Sequence, residues 1–482
     1  MKVRTGNGGT PSLRSLPTRG RGLKAGLLKW GLAAACAILP PAAGAQAGAA
    51  PMQVQGSAAA VASASRPFTL PDLIAYALAH NPELAAAGFD GEAAAARTRG
   101  ADAARYPRLA VEGGYTNYGP DLRLTAARFN GELGVFGANV VVADLVLRVP
   151  LYTGGRLTAE LQAAELLELS AGQRLARSRG DLVYNVSSLY FNQLAQTRLI
   201  DALAESHDAL RSQLARVRAL VDERKAAAVD ALRTEVRLAD VGQRLLREQN
   251  NLEILRRSLL NLLGDRTGEL RITLYDALGA PTVAPRDPRA LTERALAQRP
   301  DIEAARTELQ AQSARIEAAR AGNRPSVSLL AAGGGRAMLS PSQQPPGTSA
   351  QDTTYRIGVL VDIPVFDGGR TSERVAEESA KLAAQRERLD KLSLQVRLEI
   401  ETAHASLSSA LERIRSAEQT VALARENLHI EQEKYALGRG TAFDVLDAQS
   451  ALTDARAAHI RALADANTAA AQLAWSSGEN LP

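Results

Sequence analysis

The sequence predicts a membrane fold of mixed α and β structure, built from two copies of one unit. Three observations predict it. The chain matches itself over most of its length, and each half holds about a hundred residues of proline-free, helical periodicity. Ahead of each such stretch runs a strand whose side chains alternate for about eleven residues.

The first 45 residues differ from the rest. They hold seven cations (Lys2, Arg4, Arg14, Arg19, Arg21, Lys24, Lys29) and no acid, then an apolar run, then Ala43-Gly44-Ala45. A basic start, a short apolar segment and a small-residue end read as a secretory signal peptide over residues 1–45. Residues 46–67 follow as a linker. The whole chain carries +5, with 57 basic and 52 acidic residues; taking away the seven leader cations leaves 50 against 52, a net charge of −2. The basic balance therefore belongs to the leader, and no nucleic-acid partner is expected. Cys36 is the only cysteine, so export brings no disulfides. Small residues precede it, but no Leu stands three positions ahead, and it reads as leader filler rather than a lipidation site.

The repeat begins with Leu73. The segment LIAYALAHNPELAAA matches LTERALAQRPDIEAA from Leu291 at a shift of 218, which also sets Pro107 on Pro325 and Leu109 on Val327. From VPLYTGGR (Val149 to Arg156) against IPVFDGGR (Ile363 to Arg370) the shift is 214, and it holds through Asp230 on Asp444 and Gly264 on Gly478. The expected units are 68–264 and 290–478, with a linker at 265–289 and a tail at 479–482.

Each unit opens with a short helix, near Leu73 to Arg105 with a break at Pro82, and near Ala290 to Ala321. A weaker, Gly-rich strand follows (Leu109 to Tyr118; Val327 to Gly335), then the alternating one. In Val141, Ala143, Leu145, Leu147, Val149 and Leu151 one face is wholly apolar, and Tyr355 to Val365 repeats the pattern. That length suits a tilted strand in a bilayer. Four strands cannot close a barrel, and an open edge in lipid leaves backbone groups unpaired. Closure needs further copies, and three give twelve strands.

The long stretches follow. From Arg370 to Ala436 the helix is on the order of 100 Å long. It breaks at Gly438 and Gly440 and restarts with Thr441 and Asp444 as cap candidates. The first unit turns at Asp222 to Ala228 without glycine. Five scattered histidines lack metal-ligand spacing, and neither a nucleophile elbow nor a phosphate loop occurs, so no enzyme activity, cofactor or metal is expected.

These halves resemble the TolC-type outer-membrane efflux proteins. The resemblance rests on ALAHNPEL and ALAQRPDI, on the two P-[LV]-[YF]-x-G-G-R segments, and on YALGRGTAFDVLDAQSAL (Tyr435 to Leu452), and spans Phe68 to Gly478. It implies a homotrimer with a twelve-stranded barrel in outer-membrane lipid, continuous with a periplasmic α-helical barrel. Such a duct passively conducts substrates that an inner-membrane pump and a periplasmic adaptor deliver. The family's constriction implies pore-lining roles for Asp444 and Asp447; their spacing of three puts them on one helix face, where threefold symmetry would stack two acidic rings. Taken alone, Asp444 reads equally well as a cap. By position the resemblance also implies a gate latch of Asp230 and Tyr435. The family's basic partner comes shortly after the turn glycine, whereas Arg439 here follows Gly438 at once. The tips (Asp222, Glu223, Arg224; Leu437, Gly438, Gly440) are implied to dock the adaptor. The rival expectation is a soluble periplasmic coiled-coil scaffold or adaptor, which predicts no barrel.

Overall fold

A computed structural model describes residues 68–266, 270–274, 278–282 and 287–479. The leader, the linker at 46–67, Cys36 and residues 480–482 lie outside them, as do parts of the 265–289 linker.

Helices α1 (Leu70–His80) and α2 (Pro82–Ala103) open the first half, and α5 (Pro288–Gln298) and α6 (Pro300–Arg320) the second. The second half was expected to hold one helix from Ala290 to Ala321; it holds two. Pro300 ends α5 as Pro82 ends α1, because the residue before a proline is pushed out of the helical region. Asn81 and Arg299 accordingly have ψ of 124° and 131°.

Strands β1 (Arg108–Arg123) and β2 (Phe136–Tyr152) follow in the first half, β3 (Ser326–Leu339) and β4 (Gln351–Asp362) in the second. They form one antiparallel sheet in the order β1-β2-β3-β4. β4 stops at Asp362, short of the alternation read through Val365. Pro364 has no N–H to give to a ladder, whereas its mate Pro150 is absorbed at an irregularity between Pro150 and Tyr152.

Register then sorts the two faces. Leu109, Leu147, Ala331 and Ile357 sit side by side, and so do Val111, Leu145, Gly333 and Tyr355. The next rung carries Glu112, Asp144, Gly334 and Thr354. One face is therefore apolar across all four strands. The other carries Glu112, Asp144, Arg148, Arg336 and Arg356, with Arg148 Nη1 on Glu112 Oε1 at 2.6 Å. Tyr355 is 87 % exposed, and Ile357 and Val111 are also open. An apolar face with no protein over it, backed by a polar one, is the pattern of a membrane barrel wall. Both β1 and β4 keep a free edge.

The long helices come last: α3 (Arg156–Asp222), α4 (Ala228–Leu262), α7 (Arg370–Ala436) and α8 (Ala442–Ser477). At 67 residues each, α3 and α7 run about 100 Å. The G-G-R segments make the strand-to-helix turn. Gly154, Gly155, Gly368 and Gly369 all have φ between 65° and 89°, a pair of left-handed residues that side chains resist. No helix among the described residues is long and apolar enough to cross a membrane.

The two halves bury equivalent cores. Leu73, Leu84, Leu182, Val186 and Leu259 cluster in one, and Leu291, Ile302, Val396, Ile400 and Leu473 in the other. These are mates at shifts of 218 and 214, so the repeat in sequence is a repeat in space.

Candidate functional site: the helix tips and the α4–α8 face

Two hairpin tips end the long helices. The first runs from Asp222 through Glu223 and Arg224 to Ala228, the second from Ala436 through Leu437, Gly438 and Gly440 to Thr441. The chain must turn left-handed once at each tip. Gly438 does so at φ 71°, and its repeat-mate Arg224 at φ 59°. Asp222, Glu223 and Arg224 are exposed, Leu437 is 71 % exposed, and Gly440 is half-buried. Arg218 reaches across the first hairpin to Glu235 at 3.0 Å.

Asp444 is the N3 residue of a reciprocal cap. Its Oδ2 accepts from the Thr441 amide at 3.0 Å and the Thr441 hydroxyl at 2.7 Å, and its own amide donates to Thr441 Oγ1 at 3.3 Å. These bonds hold its carboxyl below the usual carboxylate range. Asp447, one turn on, is exposed and makes no such bond. It lines a groove of about 470 Å³ between α4 and α8, shared with Leu232, Val236, Arg237 and Phe443. So the two carboxylates lie on one helix but have different engagements: Asp444 is bonded into the cap, and Asp447 faces the groove.

The structure brings Asp230 near Tyr435 without a hydrogen bond between them. Tyr435 is half-buried against Leu428, Val445, Ala448 and Leu452. Burial first, and the Asp230 charge second, push its phenol above the ordinary value. Arg439 stays exposed and forms no ion pair with Asp230.

Further from the tips lie groups that sequence reasoning missed. Arg237 donates to Ser450, and Arg244 Nη1 meets Asp454 Oδ1 at 3.1 Å, joining α4 to α8. Arg456 with Glu205 at 2.9 Å, and Thr453 with Ser206 at 3.0 Å, join α8 to α3. A signal existed: Asp230, Arg237 and Arg244 recur every seven residues along one stripe of α4. Its partners could not be read from spacing.

A second missed cluster binds the halves together. Arg299 is 1 % exposed. It donates to Asp301 at 2.7 and 3.0 Å, to Glu399 at 2.8 Å and to the Ser476 carbonyl at 3.0 Å. Burial disfavours its charge, but the two carboxylates win and raise its pKa; against the burial of Asp301, Arg299 and then Arg177 hold that carboxyl low. Arg177 of α3 lies over the Trp475 ring at 4.1 Å, and Trp475 Nε1 donates to Asp181 at 2.7 Å.

Comparison with known proteins fits this architecture. The sequence profile of the family described as "Outer membrane efflux protein" matches residues 73–265 and 291–479, one match per repeat. The outer membrane efflux protein BepC of Brucella suis is 24 % identical over 332 residues, 68 % of this chain and 70 % of its own. The outer membrane protein TolC of Escherichia coli is 22 % identical over 415 residues, 84 % and 81 % of the two chains. Among solved structures, the outer-membrane channel OprN superposes with a TM-score of 0.72 at 23 % identity, over 85 % of this chain and 90 % of that one. The chain belongs to the outer membrane efflux protein family, and is an outer-membrane export channel whose long helices extend into the periplasm.

Proposed function

We propose that three copies of the chain close one duct: a twelve-stranded barrel in outer-membrane lipid above a tunnel of long helices. The observation that carries this is the four-stranded sheet with an apolar face and two free edges. In hydrocarbon each unpaired N–H and C=O on those edges is costly, so β4 of one copy pairs with β1 of the next. The repeat units 68–264 and 290–478 supply equal shares of the wall. A soluble scaffold would have no use for such a face.

The duct is passive, and a pump in the inner membrane and a periplasmic adaptor load it. The adaptor docks on the exposed tips, at Asp222, Glu223 and Arg224 and at Leu437, Gly438 and Gly440. Asp444 and Asp447 line the narrowest point. Because Asp444 is engaged by Thr441, Asp447 supplies most of the cation selectivity. Asp230 and Tyr435 form the latch between neighbouring helix ends, with Arg439 as its mobile cation. The field of Asp230 at the Tyr435 hydroxyl supports their pairing.

Semi-native electrophoresis of outer-membrane extracts tests the assembly: a trimer-sized band that collapses on boiling is expected, and a monomer in the soluble fraction alone would overturn it. In bilayer recordings Asp447→Asn should lose more cation selectivity than Asp444→Asn. Closed-state current unchanged by Tyr435→Phe would count against the latch.

A further inference from the structure

The polar contacts between α4 and α8 form one connected chain of donors and acceptors. Arg237 donates to Ser450 Oγ, the Ser450 hydroxyl donates to Asp454 Oδ2 at 3.5 Å, and Arg244 Nη1 donates to Asp454 Oδ1 at 3.1 Å. Every proton in this relay has one donor and one acceptor. Two arginines seven residues apart, about 10 Å along α4, thus grip a Ser–Asp pair one turn apart on α8. On its other flank α8 is held to α3 by Arg456–Glu205 and Thr453–Ser206.

Placement gives this relay its meaning. The groove of Leu232, Val236 and Phe443 lies between α4 and α8 on the tip side and reaches Arg237 and Ser450, so the first rung of the relay bounds it. A second groove, lined by Arg244, Arg247 and Asp454, lies beside the second rung, so the relay is a pair of polar bridges across an otherwise open seam. The first rung is seven residues from Asp230 and the second fourteen, about 10 and 20 Å further along the helix. Any motion that carries the end of α8 away from α4 must pivot at this relay or break it.

We propose that Arg237, Ser450, Asp454 and Arg244 form an upper lock of the gate, separate from the tip latch, which sets how far α8 can swing from α4. The inference rests on the reading above that the helix ends gate the duct. The four side chains are positioning residues; none needs to touch the transported substrate. Because Arg244 and Asp454 are about half exposed, one ion pair is weak and salt-screened. The lock therefore biases the gate rather than sealing it.

The test is single-channel recording of the exported chain, purified as its oligomer from outer membranes. Asp454→Asn and Ser450→Ala should each raise the open probability about two- to five-fold, with heat resistance of the oligomer unchanged. High salt should raise the open probability of the unaltered protein but not of Asp454→Asn. The exchange Arg244→Asp with Asp454→Arg should return gating toward the original value, whereas each single change should not. Ser450→Ala alters no charge and reads the same lock should the exchange fail to assemble. Open probability unchanged or lowered in both Asp454→Asn and Ser450→Ala would overturn the upper lock alone. No current from the unaltered oligomer would overturn the gate reading and this inference together.

Discussion

The two hairpin tips of one chain make the same turn with different chemistry. At the second tip the left-handed position is Gly438, and the next helix starts on a reciprocal cap between Thr441 and Asp444. At the first tip the same two positions hold Arg224, at φ 59°, and Ala227, which has no cap to offer. The second tip is thus closed on itself, while the first carries a strained residue and leaves Asp230 unclaimed by its own helix. The lesson concerns Asp230. Its mate Asp444 is locked into a cap, and Asp230 can face Tyr435 because Ala227 has no hydroxyl to capture it.

A similar contrast divides the roots of the short helices. Asn81 donates to the Leu262 carbonyl at 2.7 Å and caps Leu84 at 2.9 Å. Its mate Arg299 makes the equivalent bond to Ser476, the mate of Leu262, and adds two carboxylates. The first half solves the site with one neutral amide, the second with a buried ion network.

The largest expected effect breaks this second contrast. Arg299→Asn copies the first half's residue into the second and strands Asp301 and Glu399, at an expected cost of about 3–5 kcal/mol. Asn81→Ala should cost only about 1–2 kcal/mol. Denaturant titration of the helical signal measures both, and equal losses would erase the distinction.

The next pair exchanges the caps. Thr441→Ala should reduce amide-exchange protection at the start of α8 roughly five-fold. Ala227→Thr should raise it at the start of α4 by about as much, and should draw Asp230 into the new cap. The tyrosinate titration of Tyr435 then moves back toward its ordinary value. If Tyr435 does not respond, Asp230 is not the charge it senses.

Smaller effects follow from the turns themselves. Gly438→Ala should destabilise the second tip by about 1 kcal/mol, and Arg224→Gly should relax the first by somewhat less, since glycine's freedom when unfolded offsets the relief. The comparative rates of protease cleavage at the two tips read this directly.

The smallest effect is set by pH. The carboxyl of Asp444 is lowered in the folded chain, so its contribution is complete above the ordinary aspartate value, about 3.9, and is lost as pH falls through the lower folded value. Acid should therefore loosen the capped start of α8. Exchange protection at residues 441–445, followed between pH 5 and 3, provides the check.

Much of the fold was legible because it is periodic and duplicated. The alternation of Val141 to Leu151, the proline-free runs and the matched Gly-Gly-Arg segments are local signals repeated at fixed shifts, and chance does not keep them in register. The break at Pro300 was there to be read from its mate Pro82. The end of β4 was not, because the alternation runs on through Ile363 and Val365, and the mate of Pro364, Pro150, stays inside β2. Contacts between helices far apart in sequence were the least legible. Arg299 with Glu399, and Arg244 with Asp454, pair residues 100 and 210 positions apart, and spacing along one helix cannot name a partner on another. Of the expected tip residues, Asp444 was ambiguous from the start between cap and pore. The Thr441 bonds show that the cap is made, whatever else that carboxylate does.

The free edges of β1 and β4 have a consequence for biogenesis. A lone chain inserted in the bilayer would carry two rows of unpaired peptide groups into hydrocarbon, so the monomer has no resting place there. Insertion and assembly must then be a single event. Its rate should rise more steeply than in direct proportion to the number of chains waiting in the periplasm.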